Sequence, residues 1–181
     1  MEAYRKAKSI SIYMSMPKGE VMTRSIIKDA IGLGKVVYVP YIAEDVTTSN
    51  SDQKAGVKKG KHMDMVSLHS LADFNRCEEH RDKWGIPTVT AGSLPNRRSV
   101  IDHSDAVCSP LPRKYYVHWL TRPQNLETIN LDLVVMPGVA FDLNCRRLGH
   151  GKGFYDEFLS RYRIRRSDTA KQEKRMPYLS A

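Results

Sequence analysis

The sequence predicts an α/β fold, with helices packed on a mostly parallel β-sheet, and three stretches carry that prediction. KSISIYMSM alternates apolar and small polar residues, the period of a strand. An amphipathic stretch follows, with Ile26, Ile27, Ala30 and Ile31 on one helical face, and then KVVYVP, an almost wholly apolar run. Strand, helix and buried strand in that order make a βαβ unit, whose strands lie parallel across a right-handed crossover.

The first strand is predicted over residues 9–15, broken by Pro17 and Gly19. Thr23 is placed to cap the following helix, and Gly32 or Gly34 to end it. The second strand covers 36–39 and closes at Pro40. From Ala43 to Lys61 the chain turns polar, with Asn50, Ser51, Asp52 and Gly56 marking a surface loop. HMDMVSL, residues 62–68, alternates and predicts a strand, whereas 69–85 fit neither period cleanly, though SLADF can open a short helix. Four prolines within 88–128 predict an irregular insertion. Leu131, Leu133, Val134, Val135 and Met136 predict a buried strand ending at Pro137 and Gly138, and VAFDLNCRRLGHGKG reads as a long loop. Phe154, Tyr155, Phe158, Leu159 and Tyr162 recur at helical spacing, so a helix begins near Gly153. With no internal repeat and no linker, residues 1–181 are expected to form a single domain, with 160–181 as a basic tail.

Composition narrows the function classes. A chain of 181 residues, 41% hydrophobic and 27% charged, has the make-up of a globular protein with a real core. No apolar run approaches the roughly 20 residues that span a bilayer. The N-terminal stretch is interrupted by serines and lacks a small-residue cleavage site, so it does not read as a signal peptide. Cys77, Cys108 and Cys145 form neither a CxxC pair nor a disulfide framework, which suits a reducing, cytoplasmic setting, with a mitochondrial one left open. The six histidines show no HxH or HxxxH spacing, which speaks against a histidine metal centre. The net charge of +9 favours anionic partners, whether nucleic acid, membrane or a phosphorylated small molecule, unless it is only a solvated surface. Much of the excess lies in the tail, where Arg161, Arg163, Arg165, Arg166, Lys171, Lys174 and Arg175 face only Asp168 and Glu173. Its aromatic residues are not interleaved as a base-stacking platform would need.

The chemistry concentrates in RLGHGKGFYDEF, residues 147–158. Alternate glycines let backbone N–H groups approach an anion, and the helix start behind them adds unpaired donors and a favourable dipole. Lys152, with Arg146, Arg147 and His150 nearby, adds positive charge. Neither GxxxxGK[ST] nor a GxGxxG placed directly after a strand can be laid on this stretch, so a glycine-rich turn with exposed basic residues is the competing reading. Asp156, in the first helical turn, can cap that helix or, beside a phosphate site, hold Mg²⁺. Glu20 falls between a strand end and a helix start, where ligands of α/β sheets sit, but it equally suits an acid at a helix N-terminus. Trp84, Met63 and Met65 could line a flat aromatic ligand or simply fill the core.

The run NLDLVVMPGVAFDLNCRRLGHGKGFYDEFL resembles, at every fixed position over about 30 residues, the signature of the 5-formyltetrahydrofolate cyclo-ligases, also called methenyltetrahydrofolate synthetases. ISIYMSMPKGEVMTRSIIKDAIGLGKVVYVP is similar to that family's first βαβ unit, and HMDMV followed by WGIP to its central segment. The resemblance implies a three-layer, Rossmann-like sandwich and a monomeric enzyme acting on 5-formyltetrahydrofolate, not on nucleic acid or membranes. With ATP and Mg²⁺ such enzymes form 5,10-methenyltetrahydrofolate: ATP phosphorylates the formyl oxygen, N10 attacks the activated carbon, and phosphate departs. It implies an ATP loop of Arg147, Leu148, Gly149, His150, Gly151, Lys152, Gly153, Phe154 and Tyr155, with His150, Gly151, Lys152, Gly153 and Phe154 also touching the folate. Met14 and Glu20 would bind the folate, Asp156 would ligate Mg²⁺, and Lys152, Arg147 and Tyr155 would serve catalysis. The family opens with a basic helix before its first strand, continues into a further strand with a late acidic position, and has a shorter link where 88–128 stands. The expectation is therefore a truncated chain, and its alternatives are an impaired member that only binds nucleotide or folate, or a basic nucleic-acid-binding module.

Overall fold

The computed structural model describes residues 1–44, 61–101, 129–144, 146–168 and 176–180. A short helix α1 (Glu2–Lys6) leads into β1 (Ser9–Ile12), α2 (Arg24–Gly32) and β2 (Val36–Glu44), and after them come β3 (Lys61–Leu68) and α3 (Leu71–Glu79). Then follow a 3₁₀ turn (Ala91–Asn96), β4 (Leu133–Val135), β5 (Ala140–Phe141), β6 (Arg147–Leu148), α4 (Phe154–Asp168) and β7 (Tyr178–Ser180). Five strands form one sheet in the order β3-β2-β1-β4-β7, parallel throughout except for the antiparallel β2–β3 pair.

Strand alternation splits the core between the two faces of this sheet. On one face Ile10, Ile12, Val37, Val39, Leu133 and Val135 pack with Ile27 and Ala30 of α2 and Phe74 and Cys77 of α3. On the other, Tyr38, Met63, Met65 and Val134 pack with Phe158 and Tyr162 of α4. Each such aliphatic or aromatic side chain contributes about 1.5–3 kcal/mol by leaving water. The result is a three-layer, Rossmann-like α/β sandwich. Asp132 ties its strands together at one end: its Oδ2 accepts from the amides of Lys8 and Ser9, at 2.8 and 2.9 Å, where β1 begins.

Several local expectations change. β1 ends at Ile12, and residues 13–15 already lead into the loop. Thr23 sits at the N-cap of α2, but its buried hydroxyl donates 2.7 Å to the carbonyl of Tyr13, beyond the last paired residue of β1, instead of capping the helix. α2 closes at Gly34, whose φ of 70° needs a residue without a Cβ; the amides of Gly34 and Lys35 return to the carbonyls of Ile31 and Ala30. β2 runs through Pro40 to Glu44, because β1 pairs only Val36, Val37 and Tyr38, and from Val39 onward β3 is the only strand paired with β2 among the described residues. A proline is tolerated at such an edge.

Residues 88–101, the described part of the expected insertion, pack onto the sheet: Ser99 bridges Val66, and Val100 and Ile101 are buried in the second core cluster. Residues 102–128 lie outside the described residues, as do 45–60 of the expected surface loop. The long loop after β4 contains the β5–β6 hairpin, and residues 160–181 are more than a basic tail. α4 continues to Asp168, and β7 joins the sheet beside β4 with Tyr178 opposite Leu133.

Candidate active site

β1 connects onward to β2 on one side, while β4 lies on its other side. Chain order therefore switches direction between β1 and β4, and the crevice outside the carboxyl ends of such strands is where α/β sheets bind ligands. Two loops leave that edge, residues 13–23 after β1 and 136–153 after β4.

The first loop is braced by its own side chains. Glu20 Oε2 accepts from the Met16 amide at 2.8 Å, and the Tyr13 hydroxyl donates to the Val21 carbonyl at 2.8 Å. Met14 is only 5% exposed and belongs to the core beside α2, so its side chain is not presented on the loop surface. The second loop is shaped by Asp142, whose Oδ1 accepts from the amides of Asn144 and Arg146, at 2.9 and 2.8 Å, and closes the β5–β6 turn. Those backbone bonds, with the Arg146 guanidinium, hold the Asp142 carboxyl below its usual range.

β6 delivers Arg147 into a socket lined by glycines. A Cβ on Gly138 would lie 2.9 Å from Arg147 Cγ, and one on Gly149 would lie 2.8 Å from Arg147 Nη1. The guanidinium donates to the Pro137 carbonyl at 3.1 Å and to Asp156 Oδ1 at 3.0 Å, and stands 5.6 Å from the centre of the Tyr155 ring. Burial and the nearby Glu20 carboxylate push the Tyr155 phenol well above its ordinary range, while Arg147 opposes that shift. Glu20, Arg147, Tyr155 and Asp156 thus form one electrostatic neighbourhood.

His150, Gly151, Lys152 and Gly153 are exposed, and Gly151 and Gly153 adopt φ of 78° and 66° with open space where a side chain would project. They lead into the N-terminus of α4, whose first-turn N–H groups and dipole favour an anion. Phe154 leans onto the second core cluster, and Leu148 points to solvent.

A residue whose role the sequence leaves open enters here. Gly85, at φ 77°, abuts Pro17 so closely that a Cβ would come within 2.9 Å of the ring, which seats the WGIP turn against the first loop. Trp84 then stands 57% exposed beside the glycine loop, with Lys152 Nζ 5.3 Å and Lys83 Nζ 5.5 Å from its ring centre. Met63 and Met65, by contrast, are core residues. In the sequence Trp84 is marked as a large aromatic directly before a glycine turn, within the WGIP stretch.

Asp156 lies at the mouth of the glycine loop, in the first turn of α4, and its side chain is 75% exposed. Among the described residues no three His, Cys, Asp or Glu side chains gather as a metal cage. A single exposed carboxylate of this kind fits Mg²⁺ that arrives with phosphate oxygens, since this ion is commonly held by one or two carboxylates plus substrate phosphates. No helix among the described residues is long and apolar enough to cross a membrane.

Comparison with known proteins gives the family. The profile of the 5-formyltetrahydrofolate cyclo-ligase family matches residues 1–175. The probable 5-formyltetrahydrofolate cyclo-ligase of Schizosaccharomyces pombe is 30% identical over 161 residues, covering 88% of this chain and 55% of that protein. The Mus musculus 5-formyltetrahydrofolate cyclo-ligase is 30% identical over 158 residues, covering 87% and 56%, and that of Saccharomyces cerevisiae 28% over 163 residues, covering 90% and 61%. The chain spans a little over half the length of these curated relatives. On the profile match and the relatives, the chain belongs to the 5-formyltetrahydrofolate cyclo-ligase family.

Proposed function

We propose that the chain converts 5-formyltetrahydrofolate to 5,10-methenyltetrahydrofolate with ATP and Mg²⁺, releasing ADP and phosphate. The observation that carries this reading is the meeting, at one sheet edge, of the open glycine loop, Lys152, Asp156 and Trp84. Residues 147–155 would cradle the nucleotide: Gly151 and Gly153 free the backbone to approach phosphate oxygens, the start of α4 adds its dipole, and Lys152 supplies mobile positive charge. The γ-phosphoryl group passes to the formyl oxygen and ADP leaves; N10 then bonds to the formyl carbon, loses its proton, and the carbon–oxygen bond breaks to release phosphate. When bound, Mg²⁺ neutralises charge on the transferring phosphoryl group, and Asp156 would hold it there.

Such a reaction asks the protein for positioning and charge stabilisation rather than a covalent nucleophile. Arg147 steadies Asp156. Tyr155, with its phenol held protonated, is a hydrogen-bond donor and not a base. Glu20, fixed by the Met16 amide, would accept from N–H groups of the pterin, and the exposed Trp84 ring offers a flat face to stack on it. With substrate, ATP and Mg²⁺ present, the absorbance of methenyltetrahydrofolate should rise. Lys152→Ala should lower kcat/KM about 10²–10³-fold, the effect of losing one group that stabilises transition-state charge, with circular dichroism unchanged. Turnover indifferent to Lys152→Ala would remove the loop from the mechanism. Thermal stabilisation by ATP or folate without turnover would leave a binding protein.

A further inference from the structure

A second polar site lies at the opposite edge of the sheet. β3 is antiparallel, so its last residue Leu68, opposite Val37, brings the chain to the amino-terminal edge of the parallel strands. There α3, the extended residues 88–90 and the 3₁₀ turn line a half-open cleft of about 260 Å³. The Thr88 amide fixes one wall by donating to the carbonyls of His80 and Cys77, at 2.8 and 3.3 Å. The floor is a buried, two-pronged ion pair: Arg97 Nη1 and Nη2 donate to Asp73 Oδ2 and Oδ1 at 2.7 and 2.6 Å.

That pair cancels its own charge. Ser93 is also engaged, accepting from Arg97 Nε and donating to the Thr90 carbonyl. What remains is Arg76, His80, Thr88, Thr90 and Asn96, whose side chains enter no hydrogen bond or ion pair among the described residues. Asp73 is the only carboxylate in the lining, so Arg76 leaves the cavity net positive even with both of its histidines neutral. A half-open cleft with surplus positive charge and several uncommitted donors suits an oxyanion, and a guanidinium matches paired phosphate oxygens. The volume falls below the roughly 300–1,000 Å³ of pockets for drug-sized ligands, which argues against a nucleotide or a folate. We propose that this cavity binds a small oxyanion, inorganic phosphate or a small phosphomonoester, independently of the glycine loop.

Calorimetric titration of the full chain with inorganic phosphate, and separately with glycerol phosphate, tests this. Arg76 and His80 are exposed, so the double variant Arg76→Ala/His80→Ala should fold normally. It should weaken phosphate binding tenfold or more, whereas Lys152→Ala, which disables the other anion site, should leave this event within twofold. Competition between glycerol phosphate and phosphate in Lys152→Ala would mark a phosphomonoester site, and lack of competition an inorganic-phosphate site; each supports the cavity. Phosphate binding unchanged in Arg76→Ala/His80→Ala, or absent from Lys152→Ala at tens of millimolar, would overturn it. Methenyltetrahydrofolate formation by the double variant in phosphate-free buffer should match the unsubstituted chain, so the catalytic reading stands or falls separately.

Discussion

The Asp73–Arg97 pair sets a sharp test of how the segment after β3 is held. Both side chains are almost fully buried, 9% and 5% exposed, and Arg97 makes four bonds: two to Asp73, one to the Ser67 carbonyl and one to Ser93. Arg97→Met leaves Asp73 with the His69 amide as its remaining donor at 3.0 Å and strips the Ser67 carbonyl of its 2.6 Å bond to the guanidinium. A buried charge that loses its partner costs about 3–5 kcal/mol, against the ~1 kcal/mol of an ordinary hydrogen bond, so the expected loss is about 4 kcal/mol. In urea, with an m-value near ~2 kcal/mol/M, the midpoint should fall by about 2 M. Asp73→Asn/Arg97→Met should cost about 2–3 kcal/mol less than the sum of its single variants. Costs that add to within about 0.5 kcal/mol, or a loss under about 1 kcal/mol for Arg97→Met, would refute the reasoning. The pair also has a pH signature. Burial alone would raise the Asp73 carboxyl, but the bonds from Arg97 and the His69 amide outweigh it and hold it below the usual carboxylate range. A lowered folded value means the stabilisation is complete above the unfolded carboxylate value, near 3.9, and is lost as the pH falls through the folded one.

Three further outcomes follow from the same geometry. Phe158→Ala empties a fully buried position in the α4 face of the core and should cost about 3–5 kcal/mol by chemical denaturation. Asp142→Ala removes two amide bonds and an arginine contact from the β5–β6 turn and should speed proteolytic cleavage within 142–146 while shifting the thermal midpoint little. Gly153→Ala meets open space but must hold a φ of 66°, so about 1–2 kcal/mol of strain should appear as lost stability or a displaced loop with weaker nucleotide affinity by titration.

Where burial imposed a period, the sequence was readable. Ile10 and Ile12 against Ser11, and Ile27 and Ala30 along one helical face, announce the βαβ unit because each must face the same core. The β5–β6 hairpin escaped because two residues per strand are too few to show alternation; its marker is the single side chain of Asp142. β7 escaped for a related reason, since three residues with Tyr178 and Leu179 half-exposed carry no apolar pattern. Thr23 looked like a cap because residue type cannot reveal that a buried strand-end carbonyl lies closer to hand. Within the site, the glycine loop and Asp156 were legible as a contiguous motif. The meeting of Trp84 with Lys152, and of Glu20 with Tyr155, depends on contacts between segments more than 60 residues apart in the chain.

The socket of Arg147 has a consequence for how charge is managed around Asp156. Because the guanidinium already sits against that carboxylate, the divalent ion proposed for Asp156 would enter by exchange, one cation partly replacing another, rather than by filling an electrostatic hole. Without metal the Arg147–Asp156 pair is already neutral, so folding of this segment need not wait for an ion. A guanidinium displaced in this way would keep its bond to the Pro137 carbonyl, within reach of an anion that accompanies the metal.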